Sequence, residues 1–180
     1  MKRTIMLSAC LLVLAAAWGG AQTTLTHAVA GTTPKTDGTV NAKEYAVTTG
    51  DANLQVSLSW IGDTLYLGIV GQTTGWVAAG MGSTAMNNAV MYMGFITGDQ
   101  TQMKVQVGAG HRHSDTDTNV PLLYAMTESA GKTTLEVAVK AAGFIVAGQK
   151  KLDVIFAMGK ADSFLSMHKA KSIASIALAQ

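Results

Sequence analysis

The chain has 180 residues, with 13 Lys and Arg against 11 Asp and Glu, and 48% of it is hydrophobic. That length suggests one domain able to bury a sizeable core, and near-balanced charge without a basic cluster excludes an electrostatic footprint for nucleic acid. A single cysteine, Cys10, excludes a disulfide framework.

The chain opens with Lys2 and Arg3, an apolar stretch from Ile5 to Ala17, and the small-residue segment Trp18-Gly19-Gly20-Ala21-Gln22. This order predicts a secretory signal peptide over residues 1–21 and an exported protein, periplasmic or secreted. The apolar stretch is short for a membrane span. Leu7-Ser8-Ala9-Cys10 has the form of a lipoprotein box, but the main apolar run follows it, so lipidation at Cys10 is not expected. Without Lys2 and Arg3, 11 basic residues face 11 acidic ones, and no cysteine remains.

Residues 22–36, rich in Thr, Ala and Gly, read as a flexible lead-in, and His27 within it as a solvated residue. From residue 37 onward the pattern has period two, the mark of half-buried strands. Leu54, Val56, Leu58 and Trp60 alternate with polar residues, and Leu65, Leu67 and Ile69 follow the turn Gly62-Asp63. Further runs are Val77 to Met81, then Met91, Met93 and Phe95, then Met103, Val105 and Val107. Residues 108–121 are polar and read as a loop. Three later runs are Leu135 to Val139, Leu152 to Met158, and Ala174 to Leu178, with a short helical turn around Lys140 to Ala147. Many short strands separated by glycine turns predict an all-β sandwich or barrel over residues 37–180.

Catalytic arrangements are scarce. No cysteine nucleophile survives leader removal, and there is neither a Gly-x-Ser-x-Gly elbow nor a phosphate-cradling glycine loop. Glu44, Glu128 and Glu136 read as surface positions rather than a paired-carboxylate cleft. The chain is therefore expected to be a carrier or binding module, not an enzyme.

Two donor groups remain. Met86 follows Gly75-Trp76-Val77-Ala78-Ala79-Gly80, and His168 precedes the last apolar run. A thioether and an imidazole are the axial pair of a low-spin, electron-transferring haem, although a methionine usually fills a core gap and a lone histidine usually makes one hydrogen bond. Separately, His111, His113, Asp115 and Asp117 alternate, so an extended backbone would turn all four to one side. That set suits Zn, Cu or Mn, against the plainer reading of a solvated loop.

The ordered segments Val56 to Trp60, Gly75 to Gly80, Met86 to Val90, Thr134 to Val139, Val154 to Ala157, and Asp162, Phe164 and His168 together resemble the DOMON domain, across residues 37–180. The resemblance implies an immunoglobulin-like β-sandwich of about ten or eleven strands. It also implies b-type haem held by one methionine and one histidine, which carry over to Met86 and His168 as ligands of the haem iron. Trp76, Met81, Met91, Met93, Phe164 and Met167 would then line the pocket, though they read equally well as core. Lys160, Lys169 and Lys171 would face the propionates. Such a domain passes single electrons to a redox partner protein, for which a membrane-associated one is an option; its oligomeric state is left open. The alternative is a haem-free module, carbohydrate-binding or structural; an aromatic content of 6% weakens the carbohydrate-binding version. Two departures from the family pattern stand out. Lys169-Ala170-Lys171-Ser172 replaces a glycine common before the last strand, and the 108–117 loop offers another histidine to the iron if His168 does not supply it.

Overall fold

The computed structural model describes residues 24–28, 32–41, 43–110 and 112–179. The predicted leader and His111 lie outside the described residues. In chain order the strands are β1 (Thr24–Ala28), β2 (Val47–Gly50), β3 (Leu54–Ile61), β4 (Thr64–Gly71), β5 (Val77–Met81) and β6 (Val90–Thr97). They continue as β7 (Gln100–Ala109), β8 (Arg112–Asp115), β9 (Leu123–Ser129), β10 (Lys132–Lys140), β11 (Lys151–Gly159) and β12 (His168–Ala179). The expected helical turn shrinks to a 3-10 turn, Ala141–Gly143.

The first sheet runs β8-β7-β6-β5-β11-β12 and the second β3-β4-β10-β9, with β2 on the free edge of β3. Strand β1 joins them: Thr24 to Thr26 pair in parallel with Ala177 to Ala179 of β12, and His27 and Ala28 pair with Trp60 and Ile61 of β3. The two sheets form the predicted sandwich, one strand above the expected range. Alternation along each strand builds its core. Leu54, Val56 and Leu58, Leu65, Leu67 and Ile69, and Leu135, Val137 and Val139 come from the second sheet. They meet Val77, Ala79, Met81, Tyr92, Val154, Phe156 and Met158 from the first.

Three departures from the sequence reading have physical causes. The lead-in contains β1, whose Leu25 is fully buried, and His27 is not a solvated residue. Its ring stacks on Trp60 at a centroid distance of 4.3 Å and its Nε2 lies 3.1 Å from the Gly62 carbonyl oxygen. The predicted 108–121 loop contains β8, an edge strand without a buried apolar residue, so no hydrophobic alternation announces it. Strand β9 is also an edge, and it exposes Leu123 and Tyr124.

A fourth departure is Glu136, which is fully buried rather than on the surface, while Glu128 is exposed and Glu44 half-buried. Glu136 lies on the outer face of the second sheet, opposite Gly68. Its Oε2 accepts backbone N–H bonds from Asp37 (3.1 Å), Gly38 (2.8 Å) and Thr39 (3.0 Å), and its Oε1 accepts the Tyr45 hydroxyl at 2.6 Å. Burial first, then the bond to Glu136, pushes the Tyr45 phenol far above its ordinary range, so it remains a donor. A Cβ on Gly68 would lie 2.5 Å from Val40 Cγ2 and 3.1 Å from the Tyr45 hydroxyl, so glycine lets Val40 and Tyr45 lie directly on the sheet. Charge-assisted bonds are the stronger ones, and orphaning their buried donors costs more than the bonds contribute. Glu136→Leu is expected to lose about 3 kcal/mol or more and Tyr45→Phe about 1–2 kcal/mol, read from urea unfolding midpoints at constant m-value.

Candidate functional site

The outer face of the first sheet is apolar, which a sheet facing water does not require. Strand β5 is buried at all five positions, so its outward residues Ala78 and Gly80 are covered as well as its inward ones. Across β6 the outward residues Met91, Met93 and Phe95 are buried, and across β11 Ile155 and Ala157 are half-buried. Trp76, Ala78, Met93 and Phe95 form a cluster separate from the main core, with Ala157 and Phe164 packed on it. The floor is low because its central residues are small. A Cβ on Gly80 would lie 2.7 Å from Met91 Cγ, and one on Gly159 would run into the Trp76 indole. The indole lies on Gly159 and donates from Nε1 to Ser166 Oγ at 2.7 Å.

Two loops reach over this face from opposite ends. Residues 160–167 leave β11 and bring Phe164 onto Phe95, with ring centroids 4.7 Å apart, and Lys104 Nζ stands 5.3 Å from the Phe164 ring centre. In the same loop Leu165 and Met167 are 94% and 84% exposed. Residues 82–89 close the other end, carrying half-buried Met86. That loop is tied to β7: Asn88 N–H donates to the Gly108 carbonyl (2.9 Å), Gly108 N–H to the Ala89 carbonyl (3.1 Å), and Gly110 N–H to Asn87 Oδ1 (3.0 Å). A Cβ on Gly108 would strike the Met86 carbonyl and lie 2.9 Å from Met86 Cγ, so Met86 lies over Gly108.

The sandwich does not bring Met86 and His168 together. His168 is exposed and opens β12 opposite Gly159, at the level just beyond the Met158–Val77 pair. Met86 sits one step beyond the Met81–Val90–Val107 row at the other end of β5. Roughly six strand steps separate the two levels, about 20 Å, beyond what two side chains span to one iron. The antiparallel register of β5 with β11 sends the segments after each strand in opposite directions, which is why the two residues stand at opposite ends.

Met81 is corrected too, since it points inward and packs in the inter-sheet core at 1% exposure. Trp76, Met91 and Phe164 do border the outer face. Of the predicted lysines, Lys171 stands on that face opposite Ala157, Lys160 is exposed, and Lys169 is turned to donate to the Gln72 carbonyl at 3.2 Å.

Of the histidine–aspartate alternation, His113 and Asp115 fall on β8 and share a face. His113 lies opposite Gly108 and Asp115 opposite Gln106. Asp117 lies past the strand, in an open groove with Met103, Val105 and Tyr124. Asp115 is committed elsewhere, to Lys104 Nζ at 2.6 Å and Gln106 Nε2 at 2.8 Å. The bond from Lys104, then that from Gln106, holds its carboxyl below the usual range. Among the described residues, no three His, Cys, Asp or Glu side chains converge on a metal position. Two buried polar atoms here have no hydrogen-bond partner: His113 Nδ1 and Gln106 Oε1. Gln106 is 6% exposed. Lys104, Gln106 and Gly108 were legible as the outward set of β7, the complement of Met103, Val105 and Val107, once β7 has neighbours on both sides.

Comparison with protein-family profiles matches the DOMON domain over residues 48–159, more than half of the chain. The chain belongs to the DOMON domain family. Among solved structures it is similar to the cytochrome b domain of pyranose dehydrogenase from Coprinopsis cinerea, at 11% identity and a TM-score of 0.54, covering 69% of this chain and 76% of that one. It is also similar to the cytochrome domain of Myriococcum thermophilum cellobiose dehydrogenase, at 10% identity and a TM-score of 0.53, covering 73% and 81%. A family 9 carbohydrate-binding module from Caldicellulosiruptor kristjanssonii, in complex with glucose, aligns at 11% identity and a TM-score of 0.45 over 85% of each chain. No curated protein matches the sequence. At these identities the two cytochrome-domain likenesses establish the fold alone. Among the described residues no helix is long and apolar enough to cross a membrane.

The close approach at Gly108 is testable by itself. Gly108→Ala is expected to push the Met86 loop off β7 and to cost about 1–3 kcal/mol, the usual range for overpacking; a melting temperature equal to that of the parent would refute the described contact.

Proposed function

We propose that this DOMON domain binds b-type haem against the outer face of its first sheet and carries single electrons. The observation that carries the reading is the face itself: apolar, floored by Ala78, Gly80 and Ala157, and bordered by the thioether of Met86. Haem needs apolar walls, soft or imidazole donors and a cationic rim. The face supplies the walls, Met86 and His113 stand at its β7–β8 side, and Lys104 on β7 and Lys171 on β12 flank it. The two buried unpartnered atoms beside Met86 favour a missing neighbour at this place, because such atoms ordinarily have one. Haem held by a thioether and an imidazole has no open position and so exchanges electrons without activating oxygen.

In this reading residues 1–21 export the chain, the redox partner supplies any catalysis, and the domain is not itself an enzyme. Covalent attachment is excluded, since no cysteine follows Cys10. The carbohydrate reading needs an exposed aromatic platform, and among the described residues Tyr124 is the single exposed aromatic; Trp76 and Tyr92 are buried.

The test is haemin titration of the exported chain, followed by oxidised and reduced absorption spectra. Sharp reduced bands at one haem per chain are the expected outcome, and no uptake rejects the proposal. Ala157→Leu raises the floor of the face and is expected to weaken uptake about tenfold, or about 1.4 kcal/mol, while the inter-sheet core and cooperative unfolding persist.

A further inference from the structure

We propose that the free edge of β9 is a strand-addition site, which takes one extended polypeptide segment of a partner protein beneath β7. The inference does not rest on the haem reading, because it concerns the core-side face of the first sheet and the edge of the second.

Two observations carry it. The first is an unprotected edge. Sheet edges are ordinarily blunted by shortness, charge, proline or a bulge. The edge strands β2 and β8 have four residues each; β2 ends in Gly50, and β8 carries Arg112 and Asp115. Strand β9 has seven residues, without proline or lysine and with one charge, Glu128. Strand β10 pairs with one side of it, and no described strand pairs with the other. Leu123 is 62% and Tyr124 48% exposed on this edge, with exposed Val120 and Leu122 just before them.

The second observation is a mismatch between the sheets. Strand β9 is the last of its sheet and packs beneath β6, with Met126 Sδ against Gly94. The first sheet goes on past β6 by two strands, β7 and β8. Met103 and Val105 of β7 pack on the core side, yet both are only half-buried. With Val120, Pro121 and Tyr124 they line the open groove that also holds Asp117. The groove therefore has an apolar roof, and beside it runs the unpaired backbone of β9. An extended polypeptide meets both: its backbone continues the β9 ladder, and every second side chain points up under β7. Asp117 beside Tyr124 and Glu128 near the other end of β9 are exposed, and neither has an ion pair among the described residues. A strand with apolar alternation and a basic residue at each end complements that edge. A second copy of this chain does not: pairing β9 with its own copy would bring the copy's β6, which covers its own β9, onto the place of β7.

The test uses a synthetic peptide with the sequence of β10, Lys132 to Lys140, which already pairs antiparallel with β9 in the fold and has a lysine at each end. Fluorescence anisotropy with the exported chain is expected to show saturable binding of one peptide per chain, and the bound peptide is expected to slow amide hydrogen exchange on β9. Proline in place of Val137 in the peptide removes a ladder donor and is expected to weaken binding about tenfold or more. Tyr124→Lys in the protein puts a charge under β7 at an exposed position. It is expected to weaken binding to a similar degree while circular dichroism and melting temperature stay those of the parent. Glu128→Lys is expected to weaken it less, by an amount that high salt removes. No saturable binding overturns the proposal, and so does binding that the proline peptide and Tyr124→Lys leave unchanged, which would report exchange with the chain's own β10. A dimer of the parent that Tyr124→Lys abolishes would put a second copy on the edge and overturn it as well. Haemin uptake by the same proteins is a separate readout, so failure here leaves the haem reading standing.

Discussion

The structure is organised by one constraint: the central strands of the first sheet, β5, β6 and β11, are apolar on both faces. One face is absorbed by the second sheet. The other, built from Ala78, Gly80, Met91, Met93, Phe95 and Ala157, has no third layer of regular structure over it among the described residues. A contiguous apolar area of that kind is unfavourable in water. The loops 82–89 and 160–167 lie where they do because they cover it, one from each end of β5. Phe164 seals one end by packing on Phe95 and Trp76 seals it further by lying on Gly159. Met86 seals the other over Gly108. The position of the thioether is thus a consequence of covering a face, and the small residues of that face set how near a planar ligand could come.

The second sheet solves the same problem differently, and the contrast is informative. Its outer face is covered by residues 37–40 and Tyr45 of the same chain, and the polar groups trapped there are paired. Glu136 takes three backbone N–H groups and the Tyr45 hydroxyl, and Gly68 makes room for the ring. A buried carboxylate is tolerated only with that degree of satisfaction. The outer face of the first sheet is covered incompletely, with Ile173, Leu165 and Met167 left in solvent and His113 Nδ1 and Gln106 Oε1 left without partners. One chain therefore closes one face with its own groups and leaves the other short of them, and the shortage lies beside a methionine and a histidine.

Much of the fold was legible because period-two alternation reports a half-buried strand directly, as in Leu54 to Trp60 and Leu152 to Met158. The DOMON assignment was legible from the order of such segments around Gly75-Trp76 and Met86. Strands β1, β8 and β9 were not, since they are edge or joining strands held by ladder hydrogen bonds more than by apolar burial. The burial of Glu136 was hidden because its partners lie nearly a hundred residues earlier in the chain. Alternation could not say which face of β5 was in the core, and so Met81 read as a pocket residue although Ala78 and Gly80 hold the outward positions. The motif spacing could not say that Met86 and His168 leave the sheet at opposite ends, because that depends on the antiparallel pairing of β5 with β11.

That pairing also sets how far His168 stands from Met86. A strand acts as a ruler of about 3.3 Å per residue, and β5 lies lengthwise between the Met86 and His168 levels. For His168 to meet Met86, one loop would have to abandon its anchors, either the Trp76–Ser166 bond or the Asn88–Gly108 and Gly108–Ala89 bonds. Binding that requires such reorganisation gives up part of its contact energy.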